Sequence, residues 1–217
     1  MAETRARGKI VECYGATRLQ GGRLANEDTF IIEREPVPFA AVFDGAGNAE
    51  QAALRAARFF KTLLTDQIAK VADPKAWENW VRLMDSRLMG GGQSTFVGMA
   101  ASDIEDGQVV GASAGNSRAY LIGENGVRII SAEGSPGRLG SGRAEGKTFS
   151  LKLGHHDMLL LMSDGAWVPI GSTYLFRKTV MSALTGHFSE VPQAILDAAY
   201  PCGDPADDAT VVALRIC

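Results

Sequence analysis

The sequence predicts an α+β fold, a four-layer αββα sandwich of two mainly antiparallel sheets with a helix pair on each outer side. Apolar runs such as residues 39–43 and 158–162 contain no polar residue, so their sheets must be covered on both faces. One pair of helical patterns divides the strand patterns, and a second pair lies near the end of the chain. Turn pairs such as Asp106-Gly107 predict hairpins between neighbouring strands.

Length and composition suit an ordinary globular protein. The 217 residues are 46% hydrophobic and 22% charged, which is enough for one domain over residues 1–217 with a sizeable core. The net charge is -3 and no run of Lys or Arg occurs, so composition does not support nucleic-acid binding. The cysteines fit neither a disulfide framework nor a zinc pattern, and no apolar stretch reaches about 18 residues. We expect a monomeric cytoplasmic protein without membrane contact.

The first part of the chain contains three strand patterns and then two helical patterns. Asn48 is expected to cap the first helix, and Pro74 suits the first position of the second helix. Apolar residues at spacings of three and four place one face of each helix against a sheet. The predicted ranges are 10–17, 29–33 and 39–43 for the strands, and 48–70 and 74–89 for the helices.

The second part contains an antiparallel meander, a glycine-rich loop over residues 132–147, and a mixed C-terminal region. Turn residues separate the strands of the meander, and Pro201, Gly203 and Pro205 place a loop before the last strand. The predicted strands are 93–102, 108–114, 118–122, 127–130, 148–153, 157–163 and 209–214, and the predicted helices are 173–184 and 191–199.

Acidic residues occupy one end of four of these strand patterns. For any single strand, Asp and Gly are better explained as turn residues. For all four strands together, we favour one shared site. The four sequences are Asp44-Gly45 after residues 39–43, Asp164-Gly165 after 158–163, Asp207-Asp208 before 209–214, and Glu27-Asp28 before 29–33.

Four converging carboxylates would repel each other, which would raise their pKa values unless cations balance the charge. Oxygen ligands select Mg²⁺, Mn²⁺ or Ca²⁺ over zinc. Two such ions about 3.5–4 Å apart would clamp a bridging water and hold a phosphoryl oxygen for in-line attack. Arg23, four residues before Glu27, would bind the phosphate through paired hydrogen bonds.

Six short motifs occur in chain order: Arg23-x-x-Asn26-Glu27-Asp28, Val42-Phe43-Asp44-Gly45-x-Gly47, Ser94-Thr95, Gly115-Asn116-Ser117-Arg118-Ala119-Tyr120, Ser163-Asp164-Gly165 and Asp207-Asp208-Ala209-Thr210. Together they resemble the motifs of the PPM (type 2C) metal-dependent protein serine/threonine phosphatases. The resemblance covers nearly the whole chain, and the order of six individually weak motifs makes a strong signal. That family has a β-sandwich between pairs of helices, in agreement with the pattern above.

The resemblance implies hydrolysis of phosphoserine or phosphothreonine in proteins, with two Mn²⁺ or Mg²⁺ ions as cofactors. It implies a phosphorylated protein as partner, linked to a Ser/Thr kinase and to signalling. Asp44 would bridge the two metals and Arg23 would bind the substrate phosphate. The implied metal ligands are Glu27, Asp44, the carbonyl of Gly45, Asp164 and Asp207. The implied supporting residues are Asp28, Asn116 and Asp208.

Two positions depart from the family pattern. Ala46 stands where the family usually has His, and Asn116 stands where it usually has Asp. The first change removes a group for leaving-group proton transfer, and the second disfavours a third metal. The alternative hypothesis is therefore a regulatory module that binds a phosphoprotein with weak or no turnover. A glycosidase using two carboxylates leaves the remaining acids and Arg23 unexplained and ranks last.

Overall fold

A computed structural model of the chain describes residues 9–46, 51–124, 126–131, 137–171, 173–183 and 185–217. The α-helices are α1 (Ala52–Asp66), α2 (Pro74–Leu88), α3 (Asp164–Trp167), α4 (Thr173–Ala183) and α5 (Val191–Ala199). The strands are β1 (Val11–Arg18), β2 (Thr29–Glu33), β3 (Phe39–Phe43), β4 (Gly45–Ala46), β5 (Gln93–Ser94), β6 (Phe96–Asp103), β7 (Gln108–Ala114), β8 (Arg118–Gly123), β9 (Gly126–Ile129), β10 (Lys147–Lys152), β11 (Met158–Met162) and β12 (Ala209–Ile216).

These strands form two five-stranded sheets and one small ribbon. The first sheet has the order β1-β12-β11-β8-β9, and the second has the order β10-β7-β6-β3-β2. Strands β4 and β5 pair separately as a two-stranded ribbon. All of these pairs are antiparallel. The predicted α+β fold with two antiparallel sheets is therefore confirmed.

Three hydrophobic clusters separate four layers. Apolar side chains from both sheets, including Val42, Leu161 and Val212, fill the central cluster. Helices α1 and α2 contribute Phe60 and Trp77 to a second cluster on the outer face of the β3-containing sheet, whereas α3, α4 and α5 cover the other sheet. The second outer layer thus has a short third helix, α3, in addition to the predicted pair. Residues 164–167 carry no helical periodicity long enough to have predicted it.

Aromatic packing fixes the end of strand β3. Phe60 of α1 lies 6.1 Å from Phe43 and 5.0 Å from Phe96, measured between ring centroids. Phe43, Phe60 and Phe96 are completely buried. Full burial of such a side chain contributes about 1.5–3 kcal/mol. The residue that follows Phe43 is Asp44, so this packing also fixes where the first acidic strand end lies.

Two predicted elements differ in their details. The strand expected over residues 93–102 is divided into β5 and β6 at Thr95, because its backbone N–H donates to the carbonyl of Asp44 at 2.8 Å. Helix α1 runs from Ala52 to Asp66, and a separate 3₁₀ turn covers Ile68–Lys70. The predicted cap Asn48 lies outside the described residues. Within the described ranges, none of the helices has the length and apolar character to cross a membrane.

Candidate metal centre

The strand register brings four acidic segments to one end of the sandwich. Thr29 pairs with Phe43, so the start of β2 and the end of β3 lie side by side and their neighbours Asp28 and Asp44 are close. Met162 pairs with Val211, which places Asp164 near the start of β12. One pair of acidic segments therefore comes from each sheet.

The carboxyl groups of this cluster interact with one another. Asp44 and Asp164 lie within hydrogen-bonding reach, and Asp28 adds a further charge to Asp44. Asp207 and Asp208 act in turn on Asp28. Asp28, Asp44 and Asp208 are buried, whereas Asp207 is exposed. The structure thus collects five aspartates whose ionised forms repel each other.

Burial raises the pKa of two of these carboxyls strongly. The pKa of Asp44 is raised to about 9, first by burial and then by the charges of Asp28 and Asp164. The pKa of Asp28 is raised to about 8, again mainly by burial, although hydrogen bonds from Ser163 and Thr210 oppose the shift. Partial burial also raises the pKa of Asp207. A bound cation would reverse these shifts by favouring the ionised carboxylates.

Four buried oxygen atoms of the cluster accept no hydrogen bond: Asp28 Oδ2, Asp44 Oδ2, Asn116 Oδ1 and Asp164 Oδ1. Buried polar atoms normally have a partner. Across the ranges that the structure describes, no three His, Cys, Asp or Glu side chains are arranged as a ready-made ligand set. The four unpartnered oxygens nevertheless lack the donors or cations that buried oxygens normally contact. Their oxygen-only chemistry fits hard divalent cations such as Mg²⁺ or Mn²⁺.

Glu27 and Arg23 form an ion pair beside the cluster. Arg23 Nη1 lies 2.6 Å from Glu27 Oε2, and this pairing raises the pKa of the Arg23 guanidinium. The Glu27 carboxylate is therefore directed toward Arg23 and not toward the aspartates. Its backbone carbonyl accepts a hydrogen bond from the N–H of Gly45 at 3.2 Å, and a Cβ at Gly45 would lie 2.7 Å from that oxygen. The absence of a side chain at Gly45 thus permits the Glu27 backbone to approach the chain directly after Asp44.

Asp208 supports the loop that carries Glu27. Its Oδ1 accepts from the backbone N–H of Gln20 at 2.7 Å, and its Oδ2 accepts from the backbone N–H of Glu27 at 2.6 Å. With both oxygens used, Asp208 is suited to holding the loop. Asp207 accepts a hydrogen bond from the N–H of Asp208 at 2.9 Å and remains accessible to a ligand. The ligand role of Asp207 and the supporting role of Asp208 stay predictions.

Asn116 orients Asp164. Its Nδ2 donates to Asp164 Oδ2 at 2.6 Å, and its backbone carbonyl accepts from Trp167 Nε1 at 3.2 Å. The guanidinium of Arg118 lies 3.6 Å from the centre of the Trp167 ring. This arrangement fixes Asn116 from two sides, and its amide occupies one oxygen of Asp164.

Sequence patterns did not assign roles to several residues at the site. Thr95 Oγ1 accepts from the N–H of Asp44 at 3.3 Å and lies 2.5 Å from Ser117 Oγ, so two buried hydroxyls support the end of β3. The Tyr200 hydroxyl donates to the carbonyl of Gly165 at 2.6 Å. Arg138 lies near enough to lower the pKa of Asp44 in part. These contacts join residues far apart in the chain, and no local pattern indicates them.

Solved structures that match this architecture include PP2C-type and serine/threonine phosphatase domains. A structure of the PP2C phosphatase domain and a fragment of the regulatory domain of SpoIIE from Bacillus subtilis matches with a TM-score of 0.79 at 21% identity, over 97% of this chain and 64% of that chain. This chain therefore spans slightly less than two thirds of that structure. Stp1 from Staphylococcus aureus, a serine/threonine phosphatase, matches at 0.77 and 19% identity over 99% of both chains. The catalytic domain of PstP in complex with two manganese ions matches at 0.74 and 17% identity, over 96% and 99% of the two chains.

The fold is that of the PPM, or PP2C-type, phosphatase domains. The sequence profile of the Stage II sporulation protein E (SpoIIE) family matches residues 39–217. The chain belongs to that family. No curated protein sequence matches it.

The raised carboxyl pKa values predict how the metal-free protein responds to pH. Between about pH 4 and pH 8 the folded chain keeps protons on Asp28 and Asp44 that the unfolded chain releases. The free energy of unfolding should therefore fall as pH rises through this window. Urea unfolding in a chelator at about pH 5 and pH 8 measures this change, and Mn²⁺ should stabilise the protein more at pH 8. Stability that is constant or rises with pH would contradict the prediction.

Proposed function

We propose that this protein is a metal-dependent phosphatase that hydrolyses phosphoserine or phosphothreonine in proteins. The observation that carries the proposal is the convergence of Asp28, Asp44, Asp164 and Asp207, with unpartnered buried oxygens, beside the Arg23 guanidinium. Membership of the SpoIIE family supports it, as do structural relatives named as serine/threonine phosphatases. We propose that residues 1–217 act as one catalytic domain.

Two Mn²⁺ or Mg²⁺ ions would be held by Asp44, which would serve both, by Asp164 and Asp207 for one ion, and by Glu27 with the Gly45 carbonyl for the other. Such ions would supply positive charge for phosphoryl oxygens and would lower the pKa of a water shared between them, so that this water could serve as the nucleophile. Hydrogen bonds made by Asn116 and Asp208 keep Asp164 and the Glu27 loop in place while this site is formed.

Arg23 is the residue proposed to bind the substrate phosphate. Its side chain is 41% exposed, so an incoming phosphate reaches it from solvent. A guanidinium offers paired N–H donors to two phosphate oxygens, whereas its present partner is the Glu27 carboxylate. We propose that phosphate replaces Glu27 on Arg23 and leaves that carboxylate free to serve the cluster.

A second candidate is a regulatory module that binds a phosphoprotein and turns it over slowly or not at all. Ala46 provides no proton donor for the leaving group, so the serine or threonine oxygen must take its proton from another group or from solvent. The hydrogen bond from Asn116 to Asp164 Oδ2 also occupies an oxygen that a carboxylate at position 116 would leave available to a cation. Both observations concern the rate of turnover and leave phosphate binding intact.

The partner we propose is a phosphorylated protein that a Ser/Thr kinase produces, with the present chain acting as a monomer. The test uses the purified protein with phosphoserine and phosphothreonine peptides and an aryl phosphate. Phosphate release should require Mn²⁺ or Mg²⁺ and stop when a chelator is added. Absence of turnover on every phosphomonoester, with metal present, would refute the phosphatase proposal. Tight peptide binding without phosphate release would support the regulatory module.

A further inference from the structure

A buried carboxylate on α2 holds the glycine-rich loop formed by residues 137–146. Asp85 Oδ1 accepts from the backbone N–H groups of Gly140 at 2.7 Å and Gly142 at 3.1 Å, and Oδ2 accepts from Ala144 at 3.1 Å. Asp85 is only 6% exposed. A carboxylate that accepts three backbone hydrogen bonds fixes the path of that backbone more firmly than a surface contact does.

The same loop pairs with the ribbon next to the acidic cluster. Leu139 forms an isolated antiparallel bridge with Ser94, through backbone hydrogen bonds of 2.8 Å and 3.1 Å. Ser94 also pairs with Gly45. The side chain of Leu139 is completely buried in the cluster under α1 and α2. The loop therefore extends the β4–β5 ribbon by one short third segment.

This register places Arg138 in the same row as Asp44. Gly45, Ser94 and Leu139 lie opposite one another across the three segments and form one cross-strand row. Because both pairings are antiparallel, Asp44, Thr95 and Arg138 lie opposite one another in the next row. Residues in one row project to the same face of a sheet. The backbones of Asp44 and Arg138 are thus about 10 Å apart, two strand spacings, which a guanidinium on its long side chain can largely span. The positive charge of Arg138 also opposes the raised pKa of Asp44.

We propose that Arg138 is a second phosphate-binding residue of the site and that Asp85 positions it through the backbone of the 137–146 loop. This inference rests on the proposed phosphatase function and names the group that Arg138 would contact, the phosphate of the substrate. Arg138 is half-buried and, among the described residues, its side chain forms no ion pair. Its guanidinium is therefore available, unlike that of Arg23, which pairs with Glu27.

The first test compares Arg138→Ala and Arg138→Lys with the wild-type protein, all loaded with Mn²⁺. Arg138→Ala should weaken binding of inorganic phosphate, measured by calorimetry, by about tenfold, and should raise KM for a phosphopeptide by a similar factor with a smaller change in kcat. Lys keeps the charge but loses the paired donors, so its effect should be intermediate. Arg143→Ala is the matched control, because Arg143 is an exposed arginine of the same loop. It should leave both constants unchanged.

The second test asks whether Asp85 acts through Arg138. Asn at position 85 has a similar size but directs an amide NH₂ toward backbone donors, so the loop should shift. Asp85→Asn should raise KM about tenfold in the wild-type background and have little further effect on KM in Arg138→Ala. A merely structural role for Asp85 would give the same relative change in both backgrounds. Assays run well below the melting temperature of each variant keep the comparison among folded proteins.

The outcomes separate this proposal from the proposed function. If the wild-type protein hydrolyses phosphopeptide and Arg138→Ala matches it in KM and phosphate binding, the Arg138 proposal is wrong and the phosphatase proposal stands. If phosphate binding depends on Arg138 but neither protein hydrolyses the peptide, the Arg138 proposal stands and the phosphatase proposal fails. A wild-type protein that binds no phosphate with Mn²⁺ present overturns the Arg138 proposal directly.

Discussion

Replacing Asp44 by Asn is expected to abolish phosphate release while making the metal-free protein more stable. Asp44 lies at the centre of the cluster, within reach of Asp164 and close to Asp28. A neutral amide would not bridge two cations, so turnover should fall by about 1,000-fold or more. The same substitution removes the buried Asp44 carboxyl, whose ionised form is disfavoured. The free energy of unfolding near pH 8 in a chelator should therefore rise, by on the order of 1–2 kcal/mol.

The opposite signs of these two effects make the experiment informative. A substitution that merely damaged the fold would lower activity and stability together. Asp66→Asn serves as the matched control, because Asp66 is an exposed aspartate at the end of α1 and belongs to none of the acidic segments of the cluster. Asp66→Asn should change neither the turnover nor the free energy of unfolding appreciably. An Asp44→Asn protein that retains metal-dependent turnover would contradict a bridging role for Asp44.

The acidic strand ends could be predicted because each one is a local pattern. A buried apolar run followed by Asp-Gly identifies Asp44 and Asp164. Antiparallel pairing sets the end of one strand beside the start of its neighbour, so each of these residues lies next to an acidic strand start. The bounds of β2 and β3 coincide with the predicted ranges for the same reason. Short apolar runs bounded by turn or charged residues were sufficient for these elements.

Other parts of the site depend on contacts between distant segments, which local patterns do not contain. Arg138 is an ordinary loop arginine in the sequence, and the Ser94–Leu139 bridge brings it into the same cross-strand row as Asp44. The pairing of Glu27 with Arg23 is local, but whether a carboxylate faces an arginine or a cation depends on what else occupies the site. Helix α3 contains one turn, which is too short for helical periodicity to indicate it.

The close contact between α3 and the start of β12 predicts a large effect for Gly165→Ala. An added Cβ would overlap the backbone carbonyl oxygen of Asp208 and would lie 2.9 Å from its carbonyl carbon and 3.3 Å from Ala209 Cα. Backbone atoms held in a sheet move little, so Ala should destabilise the protein by about 2–4 kcal/mol. The hydrogen bond from the Tyr200 hydroxyl to the Gly165 carbonyl would be strained by the same movement.

Separating α3 from β12 would also separate Asp164 from Asp207, so activity should fall by more than unfolding alone explains. At a temperature where circular dichroism shows the variant folded, we expect a loss of about 100-fold in kcat/KM together with weaker Mn²⁺ binding. Gly154→Ala is the matched control, because the nearest atom to its added Cβ is the side-chain Oδ2 of Asp157 at 3.3 Å. If Gly165→Ala binds Mn²⁺ and hydrolyses phosphopeptide as well as Gly154→Ala does, Asp164 and Asp207 do not act as one site. The approach of α3 to β12 would then serve packing alone.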